Sequence, residues 1–234
     1  MDRPLFPTSL VIDLNDLDIE KMCYYSEQWG IDRKQLERGV FSGDINAVHT
    51  PHIQLATTTH SLASTVEGDF PAGSVLLFFV QSDAPNIFQN SQMTALELIY
   101  AKESKEIDLI TNSKSKILTF VVEETLFNQI FYDYFARPAE ELLKDQRLFI
   151  EPDKLSFFLS GLYAWSDYLK SEEHRLSLVK DYDKIELEMI THVFACLVLE
   201  NRTKERVKFN VSSARDLLHE SIDKNIILDN WHKI

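Results

Sequence analysis

The hydrophobic periodicity of the chain changes near residue 122, and this change limits the folds that the sequence can adopt. Before it, short runs of β-branched and aromatic residues are separated by turn residues, a pattern that predicts an antiparallel β domain. The clearest predicted strands cover residues 53–60, 75–82, 94–101 and 116–122. Strands of this length and spacing indicate a barrel or a sandwich. After residue 122 apolar residues recur at helical spacing, so the sequence predicts an α+β chain with its β part first.

Four helices are predicted after the change of period. The first covers Glu123–Phe135 and begins with acidic residues, which suit a helix N-terminus. Pro138 and Pro152 each open a further helix, since proline is favoured at the first helical position. The fourth, about residues 181–202, is apolar on two sides. Because one barrel covers only one side, we expect the other to meet a neighbouring helix or a second copy of the chain.

The second apolar stripe of the fourth helix supplies the predicted dimer contacts. They are Leu187, Ile190, Phe194 and Leu197. We expect a homodimer, and we expect a charged residue in place of Phe194 to give monomers. The predicted organisation is a β domain over 1–122, a helical bundle over 123–202, and a linker with one further helix over 203–234.

The charge balance excludes several classes of partner. Of 234 residues, 24 are Lys or Arg and 37 are Asp or Glu, which gives a formal net charge of −13. This excess of acid argues against direct binding to nucleic acid or to an anionic membrane surface. We also expect no membrane span, because no run of about 18 apolar residues occurs. The N-terminus lacks a signal-peptide pattern, and Cys23 and Cys196 show no partner spacing, so we expect a reducing cytoplasm.

The usual catalytic motifs are absent from the sequence. It contains no Gly-rich phosphate loop, no HExxH, no GxSxG elbow, no paired cysteines and no EF-hand loop. Only six glycines occur, which disfavours tight backbone cradles for phosphate. We therefore expect no catalytic residues, no cofactor and no enzyme activity.

Three histidines within twelve residues are the one metal-site candidate. His49, His52 and His60 follow Gly43, and a glycine separated from a histidine by five residues, as Gly43 is from His49, resembles the opening of the metal-binding cupin motif. That motif needs His-x-His, because alternate residues of a strand face the same side. Here the spacing is His-Thr-Pro-His, so the two side chains face opposite sides. We expect no metal site, and a cupin-like barrel without metal stays open.

Polar side chains in otherwise apolar strands are the candidate ligand contacts, together with neighbouring aromatic residues. Binding sites place a few polar groups in an apolar wall. The predicted set is His60, Phe79, Gln81, Glu97, Tyr100 and Phe120. The alternatives stay open: the polar members face water as alternate strand positions do, and the aromatic members fill the core.

The last part of the chain reads as a linker followed by a helix. Residues 201–210 are polar and locally basic, as a linker is. In the segment that follows, Ser213 and Asp216 fit a capping box ahead of the apolar Leu217 and Leu218. An amphipathic helix is therefore predicted over residues 211–225.

The whole order of elements resembles an AraC/XylS-type transcriptional regulator. Ala214-Arg215-Asp216-Leu217-Leu218, followed by Glu220, Ile222 and Asn225, is similar to the first helix of that family's DNA-binding domain. Residues 68–80 and 95–122 resemble the effector-side half of its ethanolamine-operon-regulator-like branch.

The resemblance implies a cupin-like barrel that binds a small effector, helices that pair two subunits, and DNA contact through two helix-turn-helix units. The sequence stops at Ile234, so we expect most of the DNA-binding domain to be missing, and no residue is assigned to base reading. Two alternatives remain. One is a metal-dependent cupin enzyme, and the other is a stand-alone truncated partner that dimerises with intact regulators and inhibits them.

Overall fold

β-Branched and aromatic segments pair into two antiparallel sheets in the computed structural model, which describes residues 5–27, 29–102, 107–171 and 181–198. The strands of the described residues are β1 (Val11–Leu17), β2 (Ile31–Gln35), β3 (Gly43–His49), β4 (Ile53–His60), β5 (Ser64–Gly68), β6 (Ser74–Gln81), β7 (Ile87–Phe88), β8 (Ser91–Gln92), β9 (Glu97–Lys102), β10 (Ile107–Thr111), β11 (Ser115–Glu123), β12 (Arg147–Ile150) and β13 (Leu197–Val198). The large sheet has the order β1-β3-β4-β11-β6-β9-β12-β13, and the small sheet has the order β2-β5-β10-β7-β8. This β-rich arrangement of two antiparallel sheets with a few helices confirms the predicted fold class at that level.

The helices lie mostly after the strands, as the change of period predicts. They are α1 (Ile19–Glu27), α2 (Glu124–Phe135), α3 (Ala139–Leu142), α4 (Leu155–Lys170, after a 3₁₀ turn at Pro152–Lys154) and α5 (Tyr182–Cys196). The Glu123 carboxylate accepts a hydrogen bond from the Leu126 amide at 2.7 Å and so caps α2. None of these helices combines the length and the apolarity that crossing a membrane requires.

Strand β6 is apolar along most of its length, with no alternation of apolar and polar residues, because both of its faces are buried. Leu76, Phe78 and Val80 point into a core between the two sheets. Its other residues, Val75, Leu77 and Phe79, point into a second core between the large sheet and the helices. A strand with both faces buried needs no polar face, which accounts for the continuous run.

The helices form a layer on one face of the large sheet. Helix α2 packs on β6 and β11, α4 packs on β3 and β4, and α5 packs against both helices. Phe194 of α5 lies at the centre of this layer, with its ring centroid 5.2 Å from that of Phe131 and 5.3 Å from that of Phe127. The large core therefore draws on residues from both the 1–122 and the 123–202 segments.

Two predictions about the 123–202 segment need correction. The fourth helix ends at Cys196 and not near residue 202, because the chain turns into strand β13 at Leu197. The segment also contributes β12 and β13 to the end of the large sheet, so it is not purely helical. Residues 199–202 and the whole predicted linker and helix over 203–234 lie outside the described residues.

Candidate ligand site

A cluster of buried polar side chains lies at one end of the space between the two sheets. Arg33 comes from the middle of β2, His60 from the end of β4 and Thr111 from the end of β10. Ser26 reaches the cluster from α1, which packs on β2 and β3. All four residues are buried, and Arg33 retains 9% of its exposure.

Hydrogen bonds join the four side chains into one chain of donors and acceptors. Arg33 donates from Nε to Ser26 Oγ at 2.6 Å and from Nη1 to His60 Nε2 at 2.6 Å. Thr111 Oγ1 donates to the Ser64 carbonyl at 3.1 Å, and so it accepts from His60 Nδ1 at 3.2 Å. The imidazole therefore carries its proton on Nδ1 and is neutral.

Burial and the neighbouring cation fix this protonation state. Removal from water, followed by the positive charge of Arg33, lowers the pKa of His60 to about 3. Burial also lowers the pKa of Arg33 to about 10, which leaves the guanidinium charged at neutral pH. The cluster thus holds a single positive charge.

Arg33 has no counter-charge in the described part of the chain. No carboxylate there lies within 4.0 Å of the guanidinium, and its two side-chain hydrogen bonds go to neutral groups. A guanidinium has five N–H donors, of which these bonds use two. A buried cation normally pairs with an anion, because an unpaired one loses its hydration without compensation. This arrangement can accept an anionic group.

Helix α1 covers this end of the space between the sheets. Its buried residues are Met22 and Ser26, and Met22 packs with Leu17, Phe41 and Ile45 in a small separate core. The Cys23 thiol donates to the Arg33 carbonyl at 3.1 Å. These few contacts hold α1 over the guanidinium.

Only one residue of the predicted ligand set, His60, lies in this cluster. Phe79, Tyr100 and Phe120 point the other way, into the core between the large sheet and the helices. Gln81 faces the same side, where its Oε1 accepts from Tyr163 Oη at 2.7 Å. The structure therefore does not bring the predicted set together, and their role in ligand binding stays a prediction.

Glu97 lies elsewhere, in an ion pair at the start of β9. Its carboxylate is 2.6 Å from Arg147 Nη1 and accepts from the Thr94 amide at 2.6 Å. Arg147 also donates to the carbonyls of Phe88, Ser91 and Gln92. The pair joins β9 and β12 to the β7–β8 hairpin.

The four predicted dimer contacts divide between the surface and the core. Ile190, Phe194 and Leu197 are 0%, 0% and 1% exposed, and so they have no surface to offer a second copy in this structure. These residues pack on α2 and on the sheet of the same chain. Of the two expectations for the second apolar side of this helix, a neighbouring helix or a second copy, the structure shows the neighbouring helix. Leu187 is 43% exposed, and its dimer contact stays a prediction.

The three histidines near β3 and β4 go to three different partners. His49 contacts the Gln54 side chain and the Leu10 carbonyl, and His52 donates from Nδ1 to Glu186 at 2.9 Å. His60 belongs to the Arg33 cluster. Within the described ranges, no three His, Cys, Asp or Glu side chains lie together as a metal site would need.

Sequence reasoning missed Arg33, Ser26 and Thr111. The sequence around Arg33 does not mark it, although Ile31, Arg33 and Gln35 share one face of β2 while Asp32 and Lys34 share the other. Both faces carry polar residues, so the burial of one arginine does not stand out from the sequence. Ser26 and Thr111 carry no signal of their own.

Two shallow surface depressions also occur, and neither includes a residue of the cluster. One lies at the start of α2 and is lined by Gly73, Glu124, Asn128 and Tyr132 among others. The second lies beside the β7–β8 hairpin, at Pro85, Ile87, Asn90 and Gln92. The buried cluster is the more specific candidate, because it combines charge, burial and defined hydrogen bonds.

Comparison with known proteins gives a likeness in structure but none in sequence. No protein-family profile matches the chain, and no curated protein matches its sequence. The crystal structure of the AraC-like transcriptional activator CuxR is similar with a TM-score of 0.56 and 11% identity, covering 93% of this chain and 81% of that chain. A predicted oxalate decarboxylase from Thermotoga maritima gives a TM-score of 0.28 and 13% identity, covering 42% of this chain and 96% of that chain. The first likeness shows a shared fold, and the second is too low to support an argument.

Proposed function

We propose that this chain is the regulatory part of an AraC-type DNA-binding transcriptional regulator, which senses a small effector and pairs two subunits. The observation that carries the proposal is the fold shared with CuxR, an AraC-like transcriptional activator, over 93% of this chain. Two sequence features support it. They are the acidic net charge of −13, which suits a part that does not touch DNA, and the helix-like segment at residues 214–225. This role needs no catalytic residue, cofactor or metal.

The mechanism follows from two coupled equilibria. A dimer holds two DNA-binding domains over adjacent half-sites, and an effector that binds one arrangement better than another shifts the population toward it. Contact with DNA belongs to the C-terminal helix-turn-helix units of the family. A protein that acts on DNA shares its compartment, so the proposal includes a cytoplasmic location and no membrane partner.

Transcript levels test the regulatory role directly. We compare cells lacking the gene for this chain with the same cells carrying the wild-type gene again. A Phe194→Asp gene is the matched control, because a charge at this fully buried position prevents folding. We expect a small set of transcripts to change and to be restored by the wild-type gene alone. If no transcript depends on the wild-type gene, the proposal is wrong.

The homodimer is tested by the mass of the protein in solution. Leu187 of α5 and Phe157 of α4 are 43% and 44% exposed, and apolar groups of this size on a helical surface suit a subunit contact. We expect a mass twice the 27.1 kDa of one chain, and monomers from Leu187→Asp. A wild-type mass of 27.1 kDa at every concentration would refute the homodimer.

A further inference from the structure

We propose that the buried Arg33 cluster binds a small carboxylate, and that α1 is the element displaced when it binds. This inference rests on the proposed function, because it names the chemical class of the effector. Its starting point is the charge of the cluster. The guanidinium is buried between the sheets, and its hydrogen-bond partners, Ser26 and His60, are both neutral.

The charge of the cluster favours a carboxylate over a phosphate. The planar guanidinium can donate two parallel hydrogen bonds to two oxygens of either anion, so its geometry orients the ligand and its charge selects between them. A monocarboxylate also neutralises the single positive charge of the cluster. A dianionic phosphate would leave one negative charge buried, which costs free energy without compensation.

The Ser26 hydroxyl stands where one carboxylate oxygen can bind. Its Oγ lies 2.6 Å from Arg33 Nε, a distance as short as that of a bond between two charged groups. Because Ser26 belongs to α1, replacing this hydroxyl with a ligand oxygen requires α1 to move outward.

Helix α1 is suited to such a movement. Only two of its residues, Met22 and Ser26, are buried, while Tyr24 is 61% exposed. Elements with few buried apolar contacts open at low free-energy cost. Trp29 follows directly on the same turn, where its amide donates to the Ser26 carbonyl at 2.9 Å, and its ring is 36% exposed. Its fluorescence therefore reports on the position of α1.

The difference in ion pairing between Arg33 and Arg147 argues against a purely structural role for Arg33. Arg147, which is only partly buried, pairs with the buried Glu97 carboxylate of its own chain. Arg33 meets none in the described residues. Removing the Arg33 guanidinium takes one donor from Ser26 Oγ and one from His60 Nε2. Removing the Arg147 guanidinium leaves the buried Glu97 carboxylate charged and without its partner, which is the larger loss.

The test uses the full chain and simple salts as probes. Sodium acetate, propionate and benzoate are titrated, with sodium chloride and sodium phosphate at equal ionic strength. We measure the thermal unfolding midpoint and the tryptophan fluorescence, with Trp29→Phe identifying the signal of that ring. The variants are Arg33→Met, Arg33→Lys and, as the matched control at a paired arginine, Arg147→Met.

We expect at least one carboxylate to raise the wild-type midpoint, by about 2–4 °C for a ligand at about four times its Kd and further as its concentration increases. The Trp29 fluorescence changes over the same concentrations. Arg33→Met gives no response, and its midpoint falls less than that of Arg147→Met because no buried carboxylate is left unpaired. Arg33→Lys keeps the charge but loses the fork, so its apparent Kd rises at least about tenfold. Arg147→Met unfolds at a lower temperature and still responds.

Several outcomes would overturn the inference. They are carboxylates that act no differently from chloride, a response to phosphate alone, a response that survives in Arg33→Met, and an Arg33→Met midpoint as low as that of Arg147→Met. None of these affects the transcript test, which does not depend on Arg33. Conversely, if the chain binds a carboxylate but controls no transcript, the proposed function is wrong and the inferred binding site stands.

Discussion

At the scale of single residues, the surroundings of a side chain decide its protonation state. His60 ends a strand and Arg33 sits in the middle of another, yet the two meet at 2.6 Å because their sheets face each other. Burial and the guanidinium hold the imidazole neutral, with its pKa near 3. The same imidazole in an unfolded chain has an ordinary pKa of about 6.5. This difference makes folding depend on pH.

We predict that His60 makes the protein less stable as the pH falls from about 6.5 toward 3. In this window the unfolded chain binds a proton at His60 and the folded chain does not, so each pH unit removes up to about 1.4 kcal/mol of unfolding free energy. His60→Gln stays neutral and lacks this loss. Urea unfolding between pH 7.5 and pH 4.5 measures both slopes. Lys144→Gln, a change at an exposed position that leaves His60 in place, serves as the control, and equal slopes for wild type and His60→Gln would contradict the prediction.

Gly161 shows how one missing side chain allows two helices to approach. A Cβ built on this residue of α4 would lie 2.2 Å from Cε1 of His192 on α5, far inside van der Waals contact. The His192 ring is held there, with Nε2 3.2 Å from the Phe158 carbonyl.

We predict that Gly161→Ala costs about 1–3 kcal/mol of unfolding free energy, because the added methyl group forces the helices apart. His192→Ala in the same chain makes room, so the double variant should lose less than the sum of the two single losses. Chemical denaturation of all three variants gives the coupling energy. Ser156→Ala, at an exposed position of the same helix, should change stability by less than about 0.5 kcal/mol. Strict additivity would show that the contact carries no cost.

At the scale of elements, the sequence predicts the strands that are rich in β-branched and aromatic residues and bounded by turn residues. It misses strands that carry polar residues on both faces. The strand predicted over 53–60 has those bounds, and the other three predicted strands lie within three residues of theirs, because each is apolar and ends in turn residues. Strands β1 and β2 were not predicted, since charged residues interrupt them and one face of each meets water. The predicted ligand residues were chosen without knowing which face of each strand points into the space between the sheets. A one-residue difference in register exchanges the two faces, and sequence alone does not set it.

Helix α5 is predicted to hold the helical layer together through Phe194. This ring touches Phe127, Phe131, Tyr134 and Phe135, and it is fully buried. Phe194→Ala should cost about 3–5 kcal/mol, the range for a buried phenylalanine. Leu187→Ala, on the same helix but 43% exposed, should cost less than about 1 kcal/mol. Denaturant unfolding compares them, and similar losses would contradict the packing described here. A charge at position 194 should unfold the chain, where the sequence alone predicted monomers.

At the scale of the whole molecule, contacts between distant parts of the chain hold the helical layer to the sheet. The Glu186 carboxylate of α5 is 1% exposed. It accepts from Thr50 Oγ1 at 2.5 Å, from the His52 amide at 2.9 Å and from His52 Nδ1 at 2.9 Å. Tyr182, at the start of the same helix, hydrogen-bonds Ser9 at 2.5 Å. Each bond closes a loop of more than a hundred residues.

We predict that Glu186→Gln lowers the unfolding free energy by about 1.5–3 kcal/mol, because a neutral amide replaces charge-assisted acceptors and leaves a buried N–H₂ without partners. Asp183→Asn, exposed on the same helix, should cost at most about 1 kcal/mol through the helix dipole. Thermal unfolding of both variants tests this. A Glu186→Gln loss no greater than that of Asp183→Asn would show that the buried carboxylate does not hold the layer in place.

The late position of α5 in the chain has a consequence for synthesis on the ribosome. The large sheet is formed through β11 by residue 123, but α5, which completes the helical layer on its apolar face, begins only at Tyr182. At about 5–20 residues per second, the intervening roughly 60 residues take about 3–12 s to translate. During that interval the layer on the face that carries Phe79 and Phe120 is incomplete, because α2 and α4 lack the helix that packs against both. For those seconds the unfinished protein depends on a chaperone, or on its distance from the next ribosome, to keep its own copies apart.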